Sequence, residues 1–271
     1  MTSAVKPKVA FFDFACCEGC QLTVLQLDET LLELLEHVEV VTWREVITGE
    51  SASYDVAFCE GSITRERDIE RIKKIRETAG ILVTLGSCAG IGCHNAVRNR
   101  WPVEELQEDV YGTGSLVSDL IPARPITAVV PVDYQVLGCP ISLSEFVTVL
   151  KHILTGKKYH LPNQPVCVEC KLNDYLCVYE KGMICLGPVT RCGCNAVCTS
   201  RGDACHGCRG LMEQANLMAM VKVLRDTQKL HPIMDGVARK HSLTREQIVR
   251  KFAVYNNWPE LKLEEGTAHG E

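Results

Sequence analysis

The sequence predicts an α/β fold in which a flavodoxin-like, doubly wound parallel sheet is followed by a loop-rich domain with C-terminal helices. In the first half, short apolar runs alternate with amphipathic stretches, a pattern typical of parallel strands joined by crossover helices. Between Pro162 and Gly210 the apolar periodicity is weak, and nine cysteines fall within 49 residues. We therefore expect one domain over residues 1–160 and a second over residues 161–271.

Each element of the first domain has its own signal. The apolar runs predicted as strands are residues 8–14, 38–43, 56–59, 81–85 and 127–130. The first intervening helix is marked by Leu22, Leu25, Leu31, Leu32, Leu34 and Leu35. A second helix carries Ile69, Ile72 and Ile75 amid charged residues, and a third carries Phe146, Val147, Leu150, Ile153 and Leu154.

The region after the cysteine-rich stretch is predicted to be helical. Residues 211–225 have helical character, and Thr244 with Gln247 forms a capping-box start for a further helix. That helix would carry Ile248, Val249, Phe252 and Tyr255. We therefore expect a helical tail at the end of the second domain.

Composition and charge narrow the functional classes. The 271 residues are 46% hydrophobic, which is enough for a buried core, and the formal net charge is -5. Because this charge offers no basic footprint, we expect no nucleic-acid partner. The sequence shows no signal segment and no run of about 18 apolar residues, the length that a membrane span requires. The expectation is a cytoplasmic protein with no direct membrane insertion.

The sixteen cysteines indicate bound metal. A reducing cytoplasm disfavours a disulfide framework, and metal coordination is the remaining way to order a stretch with little apolar core. Pairs of the type C-x-x-C bind zinc as readily as iron, so composition leaves both metals open.

Four cysteines of the first half come at the ends of predicted strands or in neighbouring glycine turns. Cys17 and Cys20 follow the first strand, Cys88 lies in Gly-Ser-Cys-Ala-Gly, and Cys139 lies in Gly-Cys-Pro. The carboxyl ends of parallel strands form the ligand crevice of an open α/β sheet, so these thiols are expected to meet at one edge. Bare glycines beside them would let backbone N–H groups approach the sulfurs of a 4Fe-4S cluster. The alternative is that Cys88 and Cys139 are small buried residues without a ligand role.

Eight cysteines of the second half divide into two sets of four. Their spacing reads C-x2-C-x6-C-x7-C and then C-x3-C-x6-C-x2-C, with a C-x-x-C pair at either outer end. They are Cys167, Cys170, Cys177, Cys185, Cys194, Cys198, Cys205 and Cys208. Spacing alone leaves two zinc sites as the alternative to two iron-sulfur clusters, and the compact ferredoxin run of cysteines is absent.

Several ordered motifs, taken together, resemble the small subunit of nickel-iron hydrogenases. They are Cys17-Glu18-Gly19-Cys20, Glu60-Gly61-Ser62, Gly86-Ser87-Cys88-Ala89, Gly138-Cys139-Pro140, Cys185-Leu186-Gly187-Pro188-Val189-Thr190 and Cys205-His206-Gly207-Cys208-Arg209-Gly210. The resemblance covers roughly residues 8–210. It is closest to the small (delta) subunits of the cytoplasmic group 3 enzymes, which are of the bidirectional NAD(P)-linked or sulfhydrogenase type.

The resemblance implies that the second domain is an iron-sulfur cluster domain and that the chain holds three 4Fe-4S clusters. The proximal group of ligands would be Cys17, Cys20, Cys88 and Cys139. The medial group would be Cys194, Cys198, Cys205 and Cys208. The distal group would be Cys167, Cys170, Cys177 and Cys185. Many relatives have a histidine among the distal ligands and a proline in the place of Cys198, whereas this chain has cysteine at both positions.

The resemblance also implies a function. The chain would carry electrons between the nickel-iron site of a large subunit and flavin- and NAD(P)-binding or ferredoxin-like partner subunits. Dihydrogen would be split on the large subunit, so no catalytic residue is expected here. Three alternatives stay open: the related 20-kilodalton subunit of NADH:quinone oxidoreductase, a zinc-stabilised interaction scaffold, and a hydrogen-sensing regulator.

The remaining candidate residues are not expected to be metal ligands. Four left-over cysteines are expected to pack rather than to bind metal: Cys16, Cys59, Cys93 and Cys192. Glu60 could be a carboxylate in a proton path or an acid at a helix N-terminus. Four further side chains are expected to be surface, hydrogen-bonding or solvated groups rather than ligands: Glu18, His94, His206 and Lys171. Lys171 and Arg209 could offset thiolate charge, although a solvated charge is the simpler interpretation for both.

Overall fold

The computed structural model describes residues 5–113 and 119–226, which contain seven β-strands and ten α-helices. The strands are β1 (Lys8–Asp13), β2 (Glu39–Thr42), β3 (Val56–Glu60), β4 (Ile63–Arg65), β5 (Ile81–Leu85), β6 (Leu120–Arg124) and β7 (Tyr134–Val136). The helices are α1 (Gly19–Leu25), α2 (Glu29–Leu35), α3 (Glu66–Thr78), α4 (Ser87–Ile91), α5 (Cys93–Ala96), α6 (Val103–Tyr111), α7 (Leu143–Leu154), α8 (Val166–Leu172), α9 (Val197–Ser200) and α10 (Leu217–Asp226).

Five of the strands form one parallel sheet in the order β2-β1-β3-β5-β7. Counting only these strands, the order is the 2-1-3-4-5 arrangement of a flavodoxin-like doubly wound fold, so the predicted fold class is confirmed. The central pair β1 and β3 keeps register from Val9 opposite Val56 to Asp13 opposite Glu60. Strands β4 and β6 form a separate antiparallel pair that the sequence analysis did not predict.

The core lies on both faces of this sheet because the central strands are apolar along their length. All five residues of β3 are buried, as expected for a parallel strand covered by helices on both sides. On one face, Phe58 stacks on Phe11 with ring centroids 4.9 Å apart, and Phe146 of α7 lies 5.4 Å away. Burying each such side chain contributes about 1.5–3 kcal/mol. The packed sheet therefore fixes the edge at which its strands end.

The single helix predicted from the leucine pattern is two helices, and the prediction was wrong in this respect. The break lies at Asp28, whose φ of 49° is outside the helical region and separates α1 from α2. Leu22 and Leu32 are 46% and 67% exposed, so two of the marker leucines lie outside the core. Each short helix consequently buries a narrower face than a continuous one would.

The strand predicted over residues 127–130 is also wrong. Ile126–Ala128 is a 3-10 turn, and the N–H of Val130 donates to the Ile126 carbonyl at 3.0 Å. Pro125 and Pro131 bracket the segment, and proline disfavours a central strand because it lacks the N–H that a ladder needs. The fifth strand of the sheet is instead β7.

Between residues 161 and 226, the described part of the predicted second domain, there is little regular structure beyond α8, α9, α10 and a 3-10 turn at Val178–Lys181. Two small apolar groups support it, one around Leu186, Val189 and Met220 and one around Val166 and Val178. The helix expected over residues 211–225 begins only at Leu217, and the one predicted from Thr244 lies outside the described residues. Across 5–113 and 119–226, no helix combines the length and the apolar character that crossing a membrane requires.

Candidate metal centres

The proximal group lies at the carboxyl edge of the parallel sheet. Cys17 and Cys20 follow β1, Cys88 lies in α4 directly after β5, and Cys139 follows β7. Because β1, β3, β5 and β7 run in the same direction, the loops after them meet at one edge. The topology thus brings together the four thiols that were predicted to share a site.

Electrostatic contacts show that these thiols are neighbours. The pKa of Cys88 is raised to about 12, first by burial and then by the charges of Cys139 and Cys17. Burial also raises the pKa of Cys20, with Glu60 and Cys139 adding to the shift. Cys139 differs, because a hydrogen bond from the Cys93 thiol, assisted by His94, lowers its pKa to about 6. The Cys93 thiol thus favours the anionic form of the Cys139 sulfur.

The Cys20 sulfur lies close to the backbone of Gly86 and Ile141. Gly86 has φ 84° and ψ 166°, a conformation open essentially only to glycine. A Cβ atom at this position would lie closer than 3.0 Å to Cys20 Sγ. A backbone hydrogen bond from Ile141 also reaches this sulfur. The loop after β5 can approach the thiol because it carries no side chain there.

Glu60, at the end of β3, is a buried carboxylate beside the proximal group. Its oxygens accept the backbone N–H groups of Cys20 at 3.1 Å and Gln21 at 3.0 Å. Burial raises its pKa, and these two hydrogen bonds oppose the shift. The contacts match the interpretation of Glu60 as an acid at a helix N-terminus, because both donors lie in the first turn of α1.

The distal group is assembled around α8. The pKa of Cys167 is raised to about 11, first by burial and then by the charges of Cys185, Cys170 and Cys177. A Cβ on Gly187 would lie 3.3 Å from Cys185 Sγ and 3.5 Å from Cys167 Sγ. The structure therefore places the four predicted distal cysteines within mutual electrostatic reach.

The medial group lies between the other two. The pKa of Cys208 is raised to about 12, first by burial and then by the charges of Cys194, Cys139 and Cys198. The charges of Cys185 and Cys208 contribute to the raised pKa of Cys205, after burial. Each medial thiol thus has a medial neighbour, and three of them, Cys198, Cys205 and Cys208, also have a neighbour from an adjoining group.

Glu169 organises the medial loop and was not singled out in the sequence. Its carboxylate accepts the N–H of Gly193 at 2.8 Å and the N–H of Ala196 at 3.1 Å. Because Glu169 stands between two distal cysteines of α8, it ties the loop of the medial group to the helix of the distal group. These two donors lie 24 and 27 residues after Glu169 in the sequence, so no local sequence pattern could have predicted the contacts.

Two hydrogen bonds connect the three groups in a row. The N–H of Cys205 donates to Cys185 Sγ at 3.2 Å, which joins a medial residue to a distal sulfur. A backbone hydrogen bond from Cys139 reaches the Cys208 thiol, which joins a proximal residue to a medial sulfur. The order of contact is proximal, medial and distal.

The donor set fits iron-sulfur chemistry. All sixteen cysteines are free thiols in the described part of the chain. Burial and neighbouring anionic sulfurs raise the pKa of most of them, so a cationic core is needed before four thiolates can share one site. In the described residues, no three Cys, His, Asp or Glu side chains converge as they would around one metal ion. The thiolates of a cuboidal cluster bind four separate irons rather than one ion.

The left-over cysteines have different surroundings. Cys59 and Cys192 are buried, at 0% and 6% exposure, in agreement with a packing role. Cys16 is partly buried. Cys93 is fully buried and also donates its hydrogen bond to Cys139, so it is a fifth thiol at the proximal group. Sequence reasoning assigned it to packing because its contact is with a residue 46 positions away.

The charged and histidine candidates largely follow expectation. Glu18 forms a surface ion pair with Arg44. His94 hydrogen-bonds to the Cys139 thiol, and His206 lies 3.2 Å from Asp203 on the surface. Arg209 contradicts its simpler interpretation as a solvated charge, because it is only 1% exposed.

Comparison with known proteins shows the family to which the chain belongs. The family model described as "NADH ubiquinone oxidoreductase, 20 Kd subunit" matches residues 17–153. The sulfhydrogenase 2 subunit delta of Pyrococcus furiosus is 36% identical over 93% of this chain and 100% of its own length. The delta subunit of the NAD-reducing hydrogenase HoxS of Cupriavidus necator is 30% identical over 58% of this chain and 83% of its own length.

Among solved structures, chains of nickel-iron hydrogenases are similar to this chain. A chain of an NAD+-reducing [NiFe]-hydrogenase in the H2-reduced state is 30% identical, with a TM-score of 0.54 over 58% of this chain and 96% of that one. A chain of the actinobacterial-type NiFe-hydrogenase from Ralstonia eutropha H16 shares the fold, with a TM-score of 0.56 at 14% identity over 86% of this chain and 94% of that one. The chain therefore belongs to the family of the NADH ubiquinone oxidoreductase 20 Kd subunit and, within that family, to the small (delta) subunits of nickel-iron hydrogenases.

Proposed function

We propose that this chain is the electron-transfer subunit of a nickel-iron hydrogenase and carries electrons between the large subunit and a soluble acceptor system. Iron-sulfur clusters supply one-electron redox chemistry when bound. The observation that carries the proposal is the row of three thiol groups, joined by the Cys205 contact to Cys185 and the Cys139 contact to Cys208. A row of this kind gives electrons a continuous route from one end of the chain to the other.

The proposed occupants are three 4Fe-4S clusters, one for each group. Each group has four thiols, and the contacts described above support this division of the twelve cysteines. The chain's own contribution is to stabilise the anionic sulfurs. Examples are the N–H groups of Gly187 and Cys205, which donate to Cys185 Sγ at 3.4 and 3.2 Å.

We propose residues 1–160 as the domain of the proximal group and residues 161–271 as the domain of the other two. The sheet domain ends with α7 at Leu154, and the family model ends at residue 153. Free thiols throughout fit a reducing compartment, so we propose the cytoplasm as the location.

Exposure suggests where partners would dock. In the proximal group Cys17 and Cys139 are exposed, so we propose that the large subunit covers this edge. In the distal group Cys177 is exposed, and Leu172 and Leu176 beside it are 79% and 57% exposed. An apolar patch next to an exposed cluster ligand suits an electron-transfer partner, which we propose to be a flavin- and NAD(P)-binding or ferredoxin-like subunit.

The proposal is tested by removing one ligand from each group in turn. Cys88→Ala, Cys198→Ala and Cys170→Ala are each expected to lower the iron content of the anaerobically purified complex by about four atoms per copy of this chain. Cys59→Ala, which alters a buried cysteine outside the three groups, is the matched control and should keep all the iron. Equal iron in all four variants would overturn the ligand assignment, and zinc in place of iron would favour the scaffold alternative.

A further inference from the structure

Arg209 directly follows the medial residue Cys208 and is buried between the two domains. Its Nε donates to the Cys192 carbonyl at 2.7 Å, within the second domain. Its Nη1 donates to the carbonyl of Leu137, two residues before the proximal Cys139. One guanidinium therefore binds the backbone of a medial loop and the backbone of a proximal loop at the same time.

A buried carboxylate completes the site. Glu145 of α7, which is 7% exposed, accepts Nη1 at 2.6 Å and Nη2 at 2.7 Å in a bidentate pair. Tyr159 donates its hydroxyl to the same carboxylate at 2.7 Å. A Cβ on Gly193 would lie 2.8 Å from the Arg209 Cζ, so that glycine leaves the space which the guanidinium fills. Arginine suits the position because its planar fork can serve a carboxylate and two carbonyls together.

A second contact holds the same junction. The Ser87 hydroxyl donates to the Cys208 carbonyl, and it accepts the N–H of Gly138 at 2.8 Å. Ser87 precedes the proximal Cys88, and Gly138 precedes the proximal Cys139. The Cys208–Arg209 segment is thus held against both proximal loops of the sheet edge.

We infer that Arg209, held by Glu145, is a positioning residue that fixes the medial group against the proximal group and so sets the gap which electrons cross between them. The inference rests on the proposed function, since it concerns the clusters that the two groups would bind. Electron transfer depends steeply on separation, so a clamp at this junction would govern the rate of that single step. Neither Arg209 nor Glu145 would contact the reacting substrate.

The test uses the whole purified hydrogenase complex in two variants. Arg209→Lys keeps the charge but cannot reproduce the bidentate pair and both carbonyl contacts. The double variant Arg209→Met with Glu145→Gln removes both charges, so that no unpaired charge stays buried. Arg191→Met is the matched control, because Arg191 also binds backbone carbonyls, those of Pro162 at 2.8 Å and Leu211 at 3.2 Å, away from the proximal loops.

Three quantities are measured: iron content, the magnetic interaction between the reduced proximal and medial clusters by electron paramagnetic resonance, and the rate of electron transfer between them by rapid freezing. Both Arg209 variants are expected to keep their iron, to show a weaker interaction and to transfer electrons severalfold more slowly, while Arg191→Met matches the wild type. Wild-type interaction and rate in either Arg209 variant would overturn the inference. Loss of iron from both would also overturn it, since Arg209 would then serve cluster binding. Absence of iron-sulfur signals from the unaltered complex would instead refute the proposed function.

Discussion

Replacing Gly86 by alanine should strain the backbone and displace the Cys20 sulfur of the proximal group. The φ of 84° and ψ of 166° are open essentially only to glycine, so any side chain costs about 1–3 kcal/mol of backbone strain. The new Cβ would lie closer than 3.0 Å to Cys20 Sγ, whereas ordinary contact begins at 3.4 Å. The sulfur would have to retreat by about 1 Å, which exceeds the roughly 0.5 Å tolerance of a preorganised site.

A second glycine, Gly112, separates the effect of backbone strain from the effect of the contact with a thiol. Gly112 has φ 76° and ψ 174°, but none of the described residues places a heavy atom within 4 Å of its Cβ position. Gly112→Ala therefore carries the same backbone strain without touching a thiol. Both variants should lose several °C in Tm, as expected for about 1–3 kcal/mol in a chain of this size.

Only Gly86→Ala should also lose about four iron atoms per copy of this chain, together with the resonance signal of the proximal cluster. The assay is iron and acid-labile sulfide analysis combined with electron paramagnetic resonance of the reduced complex. Full iron and an unchanged spectrum in Gly86→Ala would contradict the expected displacement of Cys20 Sγ by the new Cβ. Equal iron loss in Gly112→Ala would contradict it as well.

Three further predictions concern stability. Phe58→Ala removes a fully buried ring from the centre of the sheet, and denaturant titration should show a loss of about 3–5 kcal/mol, a loss under about 1 kcal/mol being inconsistent with the packing. Asp28→Gly relieves the positive φ between α1 and α2 and should raise the free energy of unfolding by up to about 1 kcal/mol, whereas any decrease would contradict the assignment of strain. Chelation of iron should expose residues 162–210 to limited proteolysis while the parallel sheet and its helices stay intact, because the described residues of this cysteine-rich stretch are supported only by small apolar groups; uniform resistance would argue against a structural role for metal.

The proximal site could be predicted because its geometry follows from topology. Cys88 and Cys139 follow strands of one parallel sheet, and the pattern of apolar runs was enough to place those strand ends at a shared edge. The same pattern misplaced the fifth strand, since the apolar character of residues 127–130 masked the effect of Pro125 and Pro131. Apolarity reports burial, and it does not by itself distinguish a strand from a buried turn.

Contacts between distant residues could not be predicted. Arg209 and Glu145 are 64 positions apart, and each alone looks like an ordinary surface charge. Their burial follows from the packing of the loop around Arg209 on α7, which no local pattern encodes. The same holds for Cys93, whose contact with Cys139 depends on the way α5 returns toward the sheet edge.

Metal analysis of the anaerobically purified complex tests whether twelve of the cysteines hold three iron-sulfur clusters. We predict at least about twelve iron and twelve acid-labile sulfide per copy of this chain, with broad visible absorption and three or more distinct reducible centres. Zinc bound to the thiols of a colourless chain that takes up no electrons would contradict it.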